Sequence, residues 1–357
     1  MRITSTQLVS VYAFNTSVAT TDATIILPVT AWGTEYYRLS YLPDLFNPDY
    51  DFEMIIAKED DTTITFPDSS TATLNTGQVY YRLWKNDMTG RHVTSNKPTA
   101  YFTHSTLSRI FVDRNYGDIL FEQMVPVNQW GKEFLVPNAP QNSNTENNHI
   151  RILAAEDGTT VSYSGATLIT GIGSAASFSA SGNTLNKGQW VELRINSISG
   201  VGSGSCFINA GKPIGVAAYM TGQGVQIPGY GGDPSIAWIP PLNQASPNVT
   251  ISPFMFPQNA TPSTPPTNLD EPSAQHYMII ITKTTTRTST TVNGTAINSG
   301  WTDVSGYSYY RQIFNNIADL NAVFNVANPS GVIVLCGGIS DRESYYYNAG
   351  SGACIIN

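Results

Sequence analysis

The side chains able to do chemistry in this sequence are few, and their spacing is poor for it. Four histidines, His92, His104, His149 and His276, stand far apart. None falls in a zinc spacing such as H-E-x-x-H, so no zinc-dependent hydrolysis is predicted. There is no G-x-S-x-G elbow, no phosphate-binding loop and no G-x-G-x-x-G turn, the marks of common nucleophile and nucleotide sites. His104 follows a strand-like run and reads as a capping or core residue. The glycine clusters at 200–204 and 229–232 read as loops.

Carboxylates offer more. Glu59-Asp60-Asp61 and Glu156-Asp157 occupy equivalent places between apolar runs. Acids there read as turn residues, because short carboxylate side chains bond nearby backbone N–H groups. Asp49, Asp51 and Glu53 fall on one side of an extended chain, the nearest approach to a calcium site. They lack the spacing and glycine of an EF-hand loop. A glycosidase pair needs two carboxylates about 5–10 Å apart, and acids in repeated turns are poor candidates. The reading assigns no catalytic residue, no metal ligand and no cofactor, and it leaves ligand-binding positions open.

Cys206, Cys336 and Cys354 are an odd set, so at most one internal pair exists. Cys336 with Cys354 is the pair that proximity favours; three buried thiols is the plainer alternative. Aromatics are the stronger binding signal. Tyr80-Tyr81 with Trp84, Tyr307 with Tyr309-Tyr310, and Tyr345-Tyr346-Tyr347 are dense clusters. Neighbours in a strand face opposite sides, so one of each pair points outward or into an interface between modules. Packing between modules is the plainer reading; contact with a sugar or protein is the other.

These residues must be held by β structure. The chain has 357 residues, 41% hydrophobic, with 12% charged residues and a net charge of −8. Without a basic block it is a poor match for nucleic acid. No stretch approaches the ~18 apolar residues of a membrane span, so no membrane insertion is expected. No leader pattern follows Met1, which leaves open an exported protein with its leader removed or one assembled in a cytoplasm.

Pro98, Pro213 and Pro329 stand at spacings of 115 and 116, each between two strand-like runs. A period of that size predicts a repeated β module. Proline suits the first position of a strand, so a new strand is expected at each corner. The order Trp32–Leu39, Phe52–Phe66 and Gly77–Leu83 returns as Trp130–Val136, Arg151–Tyr163 and Gly188–Leu193. A diverged third set runs through Tyr277–Thr282 and Gly306–Arg311. A joint element beginning at Asp22, Asp118 and Asp233 recurs at the module starts. The expected fold is all-β: three repeated β-sandwich-like modules in a pseudo-threefold arrangement. Residues 24–120, 121–235 and 236–357 form the modules, and residues 1–23 form an N-terminal strand closing onto the third. A β-propeller with large blades is the alternative. The Gly-rich 222–233 stretch and the Pro- and Thr-rich 257–273 stretch break the pattern; the latter is expected as an exposed loop. The only helix-like segment is 317–320.

Several pieces in this order resemble the IgG-Fc-binding protein N-terminal domain family. They are Val11–Asn15 through Pro28, Trp32–Tyr37, Ile56–Thr63, and Asp87–Gly90 with the Lys97-Pro98 corner. Pro126–Gly131, Asp233–Ser235 with Pro240–Leu242, and Glu343–Tyr345 through Gly350 complete them. The resemblance covers nearly the whole chain. It implies a non-catalytic extracellular or cell-surface module for adhesion, recognising a protein or glycan on a host or cell surface, such as mucus. It supplies no site residues. Few cysteines and no evident leader depart from the mammalian form, so a phage virion structural or host-contact protein is the alternative. Homo-oligomerisation or assembly into a larger particle is compatible with either.

Overall fold

The computed structural model describes residues 2–17, 20–44, 50–110, 117–140, 147–173, 178, 183–198, 203–222, 232–256, 274–315, 322–340 and 343–350. An N-terminal hairpin of β1 (Tyr12–Ser17) and β2 (Thr20–Ile25) comes first. The first module holds β3 (Gly33–Tyr37), β4 (Asp51–Ala57), β5 (Thr62–Thr65), β6 (Thr71–Leu74), β7 (Val79–Trp84), β8 (His92–Ser108) and β9 (Asp118–Met124). The second holds β10 (Gly131–Pro137), β11 (His149–Ala154), β12 (Thr159–Ser164), β13 (Ala166–Gly173), β14 (Asn183–Leu185), β15 (Trp190–Ile195), β16 (Ser205–Met220) and β17 (Ser235–Trp238). The third holds β18 (Ser246–Ile251), β19 (Gln275–Lys283), β20 (Thr291–Val292), β21 (Thr295–Ala296), β22 (Thr302–Val304), β23 (Tyr307–Asn315), β24 (Phe324–Ser340) and β25 (Glu343–Gly350).

One long strand organises each module. The first half of β8 pairs with β3 and β5, and its second half with β4 and β9. Strand β16 does the same with β10 and β12, then β11 and β17. Strand β24 does it with β18 and β20, then β19 and β25. Each long strand therefore bends and serves both layers of a sandwich. The expected new strand at each proline is corrected here: Pro98, Pro213 and Pro329 lie inside a continuous strand. The reason is a shared slip in register. Gly33 and Glu35 face Thr99 and Thr94, Gly131 and Glu133 face Ile214 and Asn209, and Ser246 and Asn248 face Val332 and Ala327. Every proline falls inside the bulged stretch, where the ladder asks for no N–H.

The corners are tied to the hairpin turns. Lys97 Nζ donates to Asp60 O and Lys212 Nζ donates to Asp157 O, each at 2.6 Å. In the third module Asn328 Nδ2 donates to Thr286 O at 2.9 Å. Asp61 and Gly158 hold the same left-handed turn position, at φ 54° and 66°.

The modules share cores in sequence. Alternate side chains of a strand point to opposite faces. In the second module Ile150, Ile152, Val216 and Ala218 point into the module's own core. Leu153, Trp190, Ala217 and Tyr219 point the other way and complete the first module's core. In the third, Met278, Ile280, Val334 and Cys336 point inward, while Tyr277, Ile279, Ile281 and Leu335 complete the second module's core. The close fit recurs at Gly33 and Gly131, where an added Cβ would stand 2.4 Å from Pro126 Cβ and 2.2 Å from Pro241 Cβ of the next module. The third module is flanked by the N-terminal hairpin. Tyr12 donates its hydroxyl to Thr250 O and Ala349 O, and Phe14 stacks on Phe254 at 4.4 Å.

Strands β2, β9, β17 and β25 meet at the centre of this arrangement. Three two-layered modules around shared strands replace the radial blades of a propeller. Cys354, Asp49, the 257–273 stretch, most of the Gly-rich stretch and the 317–320 segment lie outside the described residues, as does any Cys336–Cys354 bond. The other two thiols, Cys206 and Cys336, are buried and free.

Candidate functional site

The joint acids account for the central strands. Edges of β2, β9 and β17 meet there without a backbone ladder between them, so side chains satisfy the amides. Asp22 Oδ2 accepts from Phe121 N at 2.9 Å and Ile236 N at 3.3 Å. Asp118 accepts from Thr21 N at 3.1 Å. Glu122 accepts from Trp238 N at 3.0 Å and from the Thr24 hydroxyl. Burial pushes Asp22 and Asp118 well above the carboxylate range and Glu122 up to about 8. Burial disfavours their charged form, the backbone N–H donors oppose that, and each acid bridges strands. They are buried.

Two of the three carboxylates of the Asp49–Glu53 run are described. Asp51 is buried and paired with Arg38. Glu53 is buried, paired with Arg91 at 3.0 Å, and accepts from the Tyr101 hydroxyl at 2.9 Å. Their oxygens are taken by cationic and hydroxyl donors, which a calcium ion would have to displace. The repeated acids at Asp60 and Asp157 are turn residues. Each accepts from a backbone N–H of a neighbouring loop, Thr76 N and Lys187 N, both at 2.9 Å. Among the described residues no group of three or more His, Cys, Asp or Glu is placed to hold a metal ion.

The histidines are dispersed. His92 stacks on Tyr37 and meets Glu35 at 2.8 Å. His276 meets the Tyr345 hydroxyl at 2.9 Å. His149 meets Glu192 at 2.6 Å within a buried network. His104 lies between Phe52 and Phe121, and burial lowers it to about 4.

The aromatic clusters divide. Tyr345, Tyr346 and Tyr347 are fully buried, and Tyr309 nearly so. Tyr346 and Tyr309 belong to the core shared by the second and third modules, as the packing reading expects. Tyr80 is half-buried against Phe66. Tyr81 is exposed.

Strand β7 alternates strictly: Val79, Tyr81 and Leu83 are 53%, 53% and 46% exposed, and the residues between them are half-buried. Its partners across β4 on the same face are Ile56, Met54 and Phe52, flanked on β8 by Ala100, Phe102 and His104. Phe52 stacks on Tyr81 at 5.2 Å. The exposed part of this apolar face is the β7 row itself; Ile56 and Met54 behind it are half-buried, and Phe52, Ala100 and Phe102 are buried. The second module presents the same face through Leu153–Trp190, Arg151–Glu192 and His149–Arg194. There Leu153, Trp190, Arg151, Glu192 and His149 are buried against the first module, and only Arg194 reaches solvent. In the third module the pairs are Ile281–Tyr309, Ile279–Arg311 and Tyr277–Ile313, and again only the last position is exposed. Two equivalents of the face are covered by the preceding module; in the first module, among the described residues, the β7 row is left exposed. Tyr81 was legible as an aromatic candidate. Val79 and Leu83 were not, because nothing local marks a face that lacks a cover.

A second concave surface of about 630 Å³ lies between the second and third modules, with Lys132, Glu133, Asn209, Asn243, Lys283 and Tyr307 at its wall. Asn209 reaches Glu133 at 3.4 Å. Lys132 and Lys283 are exposed. The cleft is mixed in character, since Trp130, Pro213 and Leu242 line it beside these polar groups.

Comparison with known proteins agrees with a binding role. The sequence model of the family described as IgGFc binding protein matches residues 22–336, nearly the whole chain. No curated protein and no solved structure matches it significantly.

Proposed function

The chain belongs to the IgGFc-binding family, and from this premise we propose that it is a non-catalytic binding module for a protein partner at a host or cell surface. One observation carries the reading: the β7 row of the first module, Val79, Tyr81 and Leu83, is apolar and exposed, while the equivalent rows of the other two modules are largely buried. Contiguous exposed apolar surface marks interaction sites in soluble proteins. Tyrosine supplies broad contact at little entropy cost, and neighbouring Phe52 fixes its ring. An extracellular or cell-surface setting fits the low charge content. Among the described residues no helix is long and apolar enough to cross a membrane. The cleft with Tyr307, Asn209 and Asn243 favours a second, glycan contact on the same partner, which makes a surface glycoprotein such as mucin the partner class.

The test is surface binding of the purified chain to immobilised mucin, deglycosylated mucin and immunoglobulin Fc. Tyr81→Lys and Leu83→Lys are expected to abolish capture of the protein partner. Asn243→Ala is expected to weaken only capture that depends on glycan. Unchanged binding by both lysine variants would remove the face from the reading.

A further inference from the structure

Besides its exposed row, β7 has a bare edge. Ala57 N donates to Gln78 O. Antiparallel alternation then turns the backbone groups of Tyr80, Arg82 and Trp84 toward β4, and those of Val79, Tyr81 and Leu83 outward. In the second module this edge is taken by β13, antiparallel to β15. In the third it is taken by β22, antiparallel to β23. Among the described residues no strand pairs with the outer edge of β7. Of the usual protections of an edge the strand keeps one charge, Arg82, which is half-buried on the inner face. The strand contains no proline or lysine, and its pairing with β4 runs unbroken from Trp84 to Val79.

We infer that a second copy of this chain fills the edge, β7 pairing antiparallel with its own image about a twofold axis at Tyr81. Three observations favour a copy of itself. First, the register centred on Tyr81 sets Val79 opposite Leu83 and Tyr80 opposite Arg82. The one charge in the strand then faces a ring and not its own image, and the apolar residues meet. Second, Val79, Tyr81 and Leu83 are the outward-turned residues, so each of these pairs is of the hydrogen-bonded kind. Third, the far end of the module series is flanked by Tyr12 and Phe14. That leaves no matching end for head-to-tail stacking of copies and favours the self-complementary contact. The pairing lies in the plane of the sheet. It leaves the outer face open and sets two such faces side by side, so it stands apart from the partner reading above.

The experiment is sedimentation equilibrium of the chain over a concentration series, with hydrogen exchange at both ends of that series. The expected result is a monomer–dimer equilibrium in which the amides of Val79, Tyr81 and Leu83 become protected as dimer forms. Tyr81→Pro removes the amide at the axis at an edge position that tolerates proline. Tyr81→Lys sets like charges across the axis. Each is expected to weaken the dimer by about tenfold or more with an unchanged melting temperature. A chain that is monomeric throughout, a dimer with unprotected β7 amides, or a dimer that survives both variants would overturn the inference. So would loss of the dimer on deleting residues 2–10, which carry the exposed apolar side chains Ile3, Leu8 and Val9.

Discussion

The same sheet face holds a buried ion pair in the second module and apolar side chains in the first. In the first module the central cross-strand pair is Met54 with Tyr81; in the second it is Arg151 with Glu192. Arg151 bonds Glu192 at 2.9 Å, Asp87 at 2.7 Å and Ser40 O at 2.6 Å, and lies over the rings of Tyr41 and Trp190. Tyr41 and Tyr219 donate to the same network, to Glu192 and Ser40 O, each at 2.9 Å. A buried ion network is a costly way to gain stability. It does impose one docking geometry, since a slipped module would bury the charges unpaired. The open face has no such constraint. Its side chains are those of an interface awaiting its other half.

The comparison breaks hardest at Arg151. Arg151→Ala leaves Glu192 and Asp87 without their guanidinium and removes the packing on Tyr41 and Trp190. Loss of one partner from a buried ion network costs about 3–5 kcal/mol. The equivalent Met54→Ala, on the half-buried face, is expected to cost well under half of that. Urea denaturation of the two variants measures the difference. Equal losses would mean that the first and second modules do not dock through this network.

Changing pH separates the network from the central strands. Burial alone would raise Glu192, but Arg151 and His149 outweigh it and hold the carboxyl at about 2. Its folded pKa is depressed, so its stabilisation is present above the unfolded value near ~4.3 and is lost as pH falls toward 2. Glu122 has the opposite sign. Burial raises it to about 8, so its contribution is full below ~4.3 and is lost as pH rises through 8, by at most roughly 1.4 kcal/mol per pH unit. Stability measured by denaturant is therefore expected to fall on both sides of a maximum in mild acid. Glu122→Gln, which mimics the neutral acid, should remove Glu122's share of the alkaline fall, leave that of Asp22 and Asp118, and leave the acid side unchanged. An unchanged alkaline side would place the central carboxylates in a different protonation state.

Local chemistry made much of this fold legible. The turn at Asp61 and Gly158, the corner at Lys97, Lys212 and Asn328, and the Trp32–Gly33 and Trp130–Gly131 steps each repeat with a residue type that does one job. The joint acids were visible as a repeat, but their role was not. Bridging β2, β9 and β17 requires strands from distant parts of the chain, and no local pattern encodes that. The proline corner misled for a similar reason. Pro98 ends a strand by its own chemistry, yet the register slip opposite Gly33 and Glu35 lets β8 run through it. The candidate site was half-read. Tyr81 stood out by type, whereas the absence of a strand beside β7 and of a module above it is a property of what is missing. Only comparison with β13, β22 and the buried faces reveals it.

The smallest expected effect sharpens the comparison most. Tyr81→Lys and Glu192→Lys place the same side chain at equivalent positions of two modules. On β7 the ammonium reaches water directly, and surface substitutions of this kind stay within about 0.5 kcal/mol. On β15 it would stand buried beside Arg151, a like charge where a carboxylate is required, with a cost of several kcal/mol. Thermal melts of the two proteins give the contrast at once. If Tyr81→Lys unfolds the protein as Glu192→Lys does, the face is part of the folding core and the surface reading of β7 fails. If it melts like wild type yet no longer captures the partner, exposure at this position serves recognition alone.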